Sequence, residues 1–134
     1  MMRRTDRSRD ASMRTSQVIL QGDWPVSSMN APSYSAHWAY IDTMNAAEQW
    51  VNVSEHPAIN FGGKVACSPH AINDTPAKAH LWLDVWIYNP DGTLLIHKVT
   101  DQIVPPGGEI FLETVANGAQ IGAYSAHAEV AINV

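Results

Sequence analysis

The clearest hydrophobic pattern in the chain begins after His80. Leu81, Leu83, Val85 and Ile87 point one way along an extended backbone, while Trp82, Asp84, Trp86 and Tyr88 point the other. Asn89-Pro90-Asp91-Gly92 follows, a sequence suited to a type I turn that ends in a left-handed glycine. Such a loop pairs Asn89 with Thr93. Counting back from it opposes Tyr88 to Leu94, Ile87 to Leu95, Trp86 to Ile96, Val85 to His97 and Asp84 to Lys98. The pattern therefore predicts a long hairpin over 81–99.

Shorter runs repeat the theme. Gln17–Gln21 is a β-prone stretch closed by Gly22-Asp23-Trp24-Pro25. Tyr34–Ile41 alternates, with Tyr34, Ala36, Trp38 and Tyr40 on one side. Asp42–Trp50 has a capping residue and good helix formers, so one short helix is expected there. Trp50–Val53 and Ile59–Cys67 read as strands, the second bent at Gly62-Gly63. Ser68–Lys78, with Pro69, Asn73, Asp74 and Pro76, reads as loop. Pro105-Pro106-Gly107-Gly108 breaks the chain before a strand at Glu109–Val115, and Ala116–Ala119 turns it again. In the last strand Tyr124, Ala126, Ala128, Val130 and Ile132 face inward, and Ser125, His127, Glu129 and Asn133 face outward. Short strands at intervals of about 8–15 residues with Gly and Pro turns are the all-β sandwich pattern.

The 134 residues suit one domain. From Trp82 through Ala123–Val134, the rhythm of strands and turns resembles bacterial immunoglobulin-like modules, without the two cysteines that flank a core Trp. The expectation is an immunoglobulin-like antiparallel β-sandwich of seven or eight strands over 17–134. It has at most one short helix and is preceded by a basic arm over 1–16.

Charge sharpens the picture of the arm. Residues 1–16 hold five arginines (Arg3, Arg4, Arg7, Arg9 and Arg14) against two aspartates, a net of +3. The remainder has three lysines against eleven acids, a net of −8, so the chain totals −5. A basic arm on an acidic body is an interaction-tail pattern. It could meet an acidic neighbour, another copy, or nucleic acid, the last through the arm alone.

Candidate chemistry is sparse. One cysteine, Cys67, excludes an internal disulfide framework. Cys67-Ser68-Pro69-His70 brings a thiol and an imidazole close in sequence. However, it lacks the nearby methionine and late position of a blue-copper loop. The six histidines are scattered singly, unlike a zinc set, and neither paired carboxylates at helical spacing nor a phosphate loop appears. No cofactor or metal is expected. No apolar stretch approaches the ~20 residues of a membrane helix. The N-terminal arginines precede no apolar signal segment, so the expected place of synthesis is the cytoplasm and no membrane partner is expected.

The outward face of the hairpin is the better signal. Trp82, Trp86, Tyr88, Leu94 and Ile96 would share it, with Asp84 facing Lys98. A water-facing strand alternates apolar with polar, and this one does not. It reads as a contact surface. The leading expectation is a non-catalytic structural or assembly protein. It contacts copies of itself or another structural protein through this face and through Arg3, Arg4, Arg7 and Arg9, in the manner of a phage or virus-like particle component. The alternative is a carbohydrate-binding module using exposed Trp.

Overall fold

The computed structural model describes residues 16–24, 35–45, 47–53, 59–61 and 63–133. Its strands are β1 (Ser16–Trp24), β2 (Ala36–Met44), β3 (Trp50–Asn52), β4 (Ile59–Phe61), β5 (Lys64–Asn73) and β6 (Ala79–Tyr88). They continue with β7 (Leu94–Val104), β8 (Glu109–Phe111), β9 (Thr114–Asn117), β10 (Ile121–Ala123) and β11 (Ser125–Asn133). Two sheets face each other. The first has the order β1-β11-β6-β7 and the second β3-β2-β5-β8, with β9 also on β5, while β4 and β10 form a separate pair. All pairings are antiparallel. None of the described residues forms a helix long and apolar enough to cross a membrane.

The core lies between the sheets. Leu81, Leu83, Val85 and Ile87 of β6 enter it beside Ala126, Ala128 and Val130 of β11. Val65, Cys67 and Ala71 of β5 and Ile110 of β8 meet them from the other side. The inward set expected for β6 and β11 is thus the observed one. Tyr124, fully buried, accepts a hydrogen bond from Gln120 N–H (2.9 Å) and donates one to Gln120 C=O (2.7 Å), which pins the turn before β11.

Three local corrections follow from backbone chemistry. The described residues of the range 42–50 form no helix, contrary to expectation. Instead β2 and β3 form a hairpin whose loop is organised by Asn45, with Oδ1 accepting from Ala47 N and Gln49 N. Glu48 takes the left-handed conformation (φ 61°) in this loop, so an Asx-type turn outcompetes helix propensity. The loop expected over 68–78 starts six residues later, because β5 runs through Pro69 to Asn73. Its edge partner has one register throughout, His70 opposite Phe111 and Cys67 opposite Thr114, but the ladder lapses at Leu112 and Glu113. In that register Leu112 falls opposite Pro69. A proline that donates no N–H thus accounts for the break between β8 and β9, and it is tolerated because β8–β9 is an edge. The first strand, finally, begins at Ser16 and continues through Gly22, Asp23 and Trp24.

The hairpin turn is as expected: Gly92 has φ 89°, and Asn89 N–H donates to Thr93 C=O at 2.8 Å. The register beyond it is not. A bulge between Ile87 and Tyr88 pairs Tyr88 with Leu94 but Ile87 with Ile96, Trp86 with His97, Val85 with Lys98 and Asp84 with Val99. One extra residue on β7, Leu95, turns every later side chain to the opposite face.

Thr114 is fully buried and its Oγ1 has no hydrogen-bond partner among the described residues. Thr114→Val, which keeps the shape and removes the stranded hydroxyl, is expected to raise stability by about 1 kcal/mol in urea unfolding.

Candidate functional site

The outer face of the first sheet differs from the expected apolar contact surface. The slip in β7 places Ile96 on the core side, packed against the interior, and brings His97 beside Trp86 instead. Lys98, no longer opposite Asp84, is exposed across from Val85. Trp86 is only 3% exposed and Asp84 0%, whereas Trp82 and Tyr88 are half-buried and Leu94 is open to solvent. Trp86 stacks on the His97 ring (4.5 Å, 1°) and meets His127 at a tilt (5.4 Å). His127 is held at both nitrogens, Nδ1 on Asp23 (2.7 Å) and Nε2 on Glu129 (3.0 Å), and His97 Nε2 lies 3.4 Å from Asp84 Oδ1. Nearer Ser16, His80 stacks on Trp82 (4.0 Å) and pairs with Asp101 at 2.7 Å. The described side chains at the centre of this face therefore form a polar network around one indole. The arm residues Arg3, Arg4, Arg7 and Arg9 lie outside the described residues.

The open aromatic surface is on the other sheet. A bulge between Trp38 and Tyr40 leaves Trp38 against the core and turns Tyr40 outward, opposite His70. His70 in turn opposes Phe111 across β5 and β8. The three rings stack, Tyr40 on His70 at 4.1 Å (17°) and His70 on Phe111 at 4.8 Å (10°). His70 is fixed by Glu109 at Nδ1 and by Ser68 Oγ at Nε2 (3.2 Å), with Asp42 Oδ2 at 3.9 Å. Tyr40 is 43% exposed and Phe111 42%. Trp50, opposite Met44 on β3, and Val115, opposite Ala66 on β9, extend the same exposed face. Desolvation, then the Glu109 and Asp42 carboxylates, raise the Tyr40 phenol above its ordinary range.

Both imidazole nitrogens of His70 are engaged, by Glu109 and by Ser68. Cys67 and His70, three residues apart in sequence, sit on opposite faces of β5: the thiol lies in the core and the imidazole outside. Burial, helped by Asp42, pushes the Cys67 thiol up to about 12, far from thiolate at neutral pH. The internal space lined by Cys67, Trp24 and Tyr124 measures about 10 Å³, at the lower limit for one water molecule. Among the described residues no three His, Cys, Asp or Glu side chains are grouped to hold a metal ion.

Sequence reasoning missed this site for two reasons. Its rings come from strands 30 to 41 residues apart, and Pro69 disguised β5 as loop. Simple alternation also placed Tyr40 with Trp38. Only the run of aromatic residues in 34–40 hinted at it.

No protein-family model matches the chain, and no curated protein does. Among solved structures it is similar to the enzymatically active domain of tailspike protein 4 from bacteriophage CBA120, at 10% identity with a TM-score of 0.23. The match covers 91% of this chain and 18% of that one. A likeness of this size carries no argument about fold or function.

Proposed function

We propose that this chain is a non-catalytic structural module that assembles with copies of itself through the outer face of the second sheet. The observation that supports this reading is that Tyr40 and Phe111, level with His70, and Trp50 and Val115, level with Ala66, are all exposed on one face that reaches the β8–β9 edge. Exposed apolar patches of this kind mark contact surfaces, and aromatic residues dominate their energetics. An edge strand also presents backbone groups that a second copy can pair with. The immunoglobulin-like form of the sandwich is supported by the Tyr124 hydrogen bonds at the start of β11, which resemble a tyrosine corner. Placing β1 and β2 in different sheets departs from the constant-type arrangement. A place in a virion or another large assembly extends the same reading.

Sedimentation of the full chain tests it. The wild type is expected to gain mass with concentration, and Phe111→Asp to weaken that association at least tenfold. Because like-charged bodies are brought together, added salt strengthens the wild-type association. A wild type that stays monomeric to millimolar concentration, both alone and when isolated from its source, overturns the proposal. The carbohydrate reading is less favoured, because the Tyr40, His70 and Phe111 rings stack on one another and leave no flat platform for a sugar. A saturable change in Trp fluorescence during glycan titration would reinstate it.

A further inference from the structure

The middle of the second sheet's outer face combines aromatic rings with unbalanced charge. On β2, Tyr40 is opposite His70 and Asp42 is opposite Ser68, with Asp42 Oδ2 3.9 Å from His70 Nε2. On β8, Phe111 is opposite His70 and the Glu109 carboxylate holds Nδ1. Glu113, exposed just beyond Phe111, falls level with Ser68 in the same register. On β5 itself Ser68 Oγ meets Nε2 at 3.2 Å, and Lys64, three rows along the face, lies 3.9 Å from Glu48. Three carboxylates thus share the centre of the face with one imidazole. Their field reaches Tyr40, whose phenol is raised by desolvation and then by Glu109 and Asp42.

Contact between two such faces sets carboxylate against carboxylate and strips water from both, and each effect opposes association. His70 is placed to offset them. Histidine changes charge between about pH 5 and pH 8, where aspartate and glutamate stay largely ionised. A proton on this ring adds positive charge between Glu109 and Asp42 and makes the Nδ1 contact an ion pair. Both ring nitrogens donate once the imidazole is charged, and acceptors already stand at each, Glu109 at Nδ1 and Ser68 at Nε2. The ring also stays clamped between Tyr40 and Phe111, so the charge of the face changes while its shape is kept. The other described histidines are placed differently. His37 is exposed and pairs with Asp74 (2.6 Å) opposite Ile72, and His80, His97 and His127 belong to the first sheet.

We infer, resting on the self-association proposed above, that His70 is a proton switch for that contact: copies associate more tightly as pH falls from about 8 to about 6, each taking up a proton at this ring. The sign follows from the surroundings. The charged imidazole lowers the repulsion between facing carboxylates and lessens the cost of burying Glu109, so the associated form binds the proton better than the free one.

Sedimentation of the full chain over this pH range, at constant salt, tests it. The wild-type dissociation constant is expected to fall about tenfold from pH 8 to pH 6, the slope counting the protons taken up. His70→Gln should flatten that slope, and His37→Gln should keep it. Glu109→Gln leaves an acceptor for Nδ1 but removes a charge, so it should associate more tightly than wild type at pH 8 and respond less to pH. Wild-type association that is equal across the range, or tighter at pH 8, overturns the switch and leaves self-association standing. A slope that survives in His70→Gln, or disappears in His37→Gln, assigns the proton elsewhere and overturns it as well. If His70→Gln does not fold, Glu109→Gln decides, and a full wild-type slope in that variant overturns the proposal. A wild type that is monomeric at every pH overturns self-association itself, and the switch with it.

Discussion

Asn73→Ala is expected to lower stability by about 3 kcal/mol. Asn73 closes β5 at only 1% exposure. Its Nδ2 donates to Val104 C=O at 2.8 Å and reaches Ala77 C=O (3.2 Å) and Pro105 C=O (3.3 Å). Its Oδ1 accepts from Thr75 N (2.9 Å) and Thr75 Oγ1 (2.6 Å). Each such bond is worth about 1 kcal/mol net, and a buried carbonyl or N–H left unsatisfied costs about 1–3 kcal/mol more. The backbone of Asn73 is tied to the same place, receiving Gly107 N–H and donating to Gly108 C=O. One residue therefore fastens the end of β5 to the crossover from β7 to β8. Urea unfolding monitored by Trp fluorescence reads the loss. A loss below about 1 kcal/mol would show that the crossover is held by other contacts. Because β8 carries Phe111, the same substitution should also weaken self-association more than its stability loss explains.

Most of the fold was legible in the sequence because period-2 alternation is a local signal that survives uncertainty about neighbours. The inward sets of β6 and β11 and the Asn89–Thr93 turn needed only chain-local rules. The site was largely hidden because both faces depend on single-residue slips. The bulge at Leu95 exchanged Ile96 for His97 beside Trp86, and the one at Ala39 sent Tyr40 outward. A bulge answers to twist and to pairing across strands, neither of which a single strand's pattern contains. Pro69 misled in another way. It is a breaker in a central strand with two complete ladders, but the edge beside β5 simply lapses where Pro69 has no donor. The apolar richness of the hairpin was legible, whereas the side to which Ile96 and His97 turn was not. Trp86 lies buried within a polar network, and the exposed aromatic side chains Tyr40 and Phe111 belong to the sheet in which Pro69 hid the middle strand.

The second large effect concerns pH. The chain should lose up to about 4 kcal/mol of stability between pH 9 and pH 12 through Cys67 alone. In the unfolded chain the thiol titrates near its ordinary value, about 8.5. In the native core, burial pushes it up to about 12. A folded-state value raised above the unfolded one means that the contribution is complete below about pH 9. It declines as pH rises toward 12, because the unfolded state alone can then release the proton. Lysines and tyrosines titrate in the same range, so the comparison is with Cys67→Ala, which lacks the thiol. Truncation leaves a small gap costing about 1 kcal/mol at any pH. Wild type should therefore be the more stable protein at pH 8 and the less stable one by pH 11, with the order crossing at about pH 9. Parallel stability curves with no crossing would mean that Cys67 ionises without unfolding, and the core around β5 would then have to admit water. The same logic bears on chemistry: iodoacetamide should reach Cys67 only as fast as the chain unfolds. A thiol held neutral and closed off in this way serves packing between the sheets.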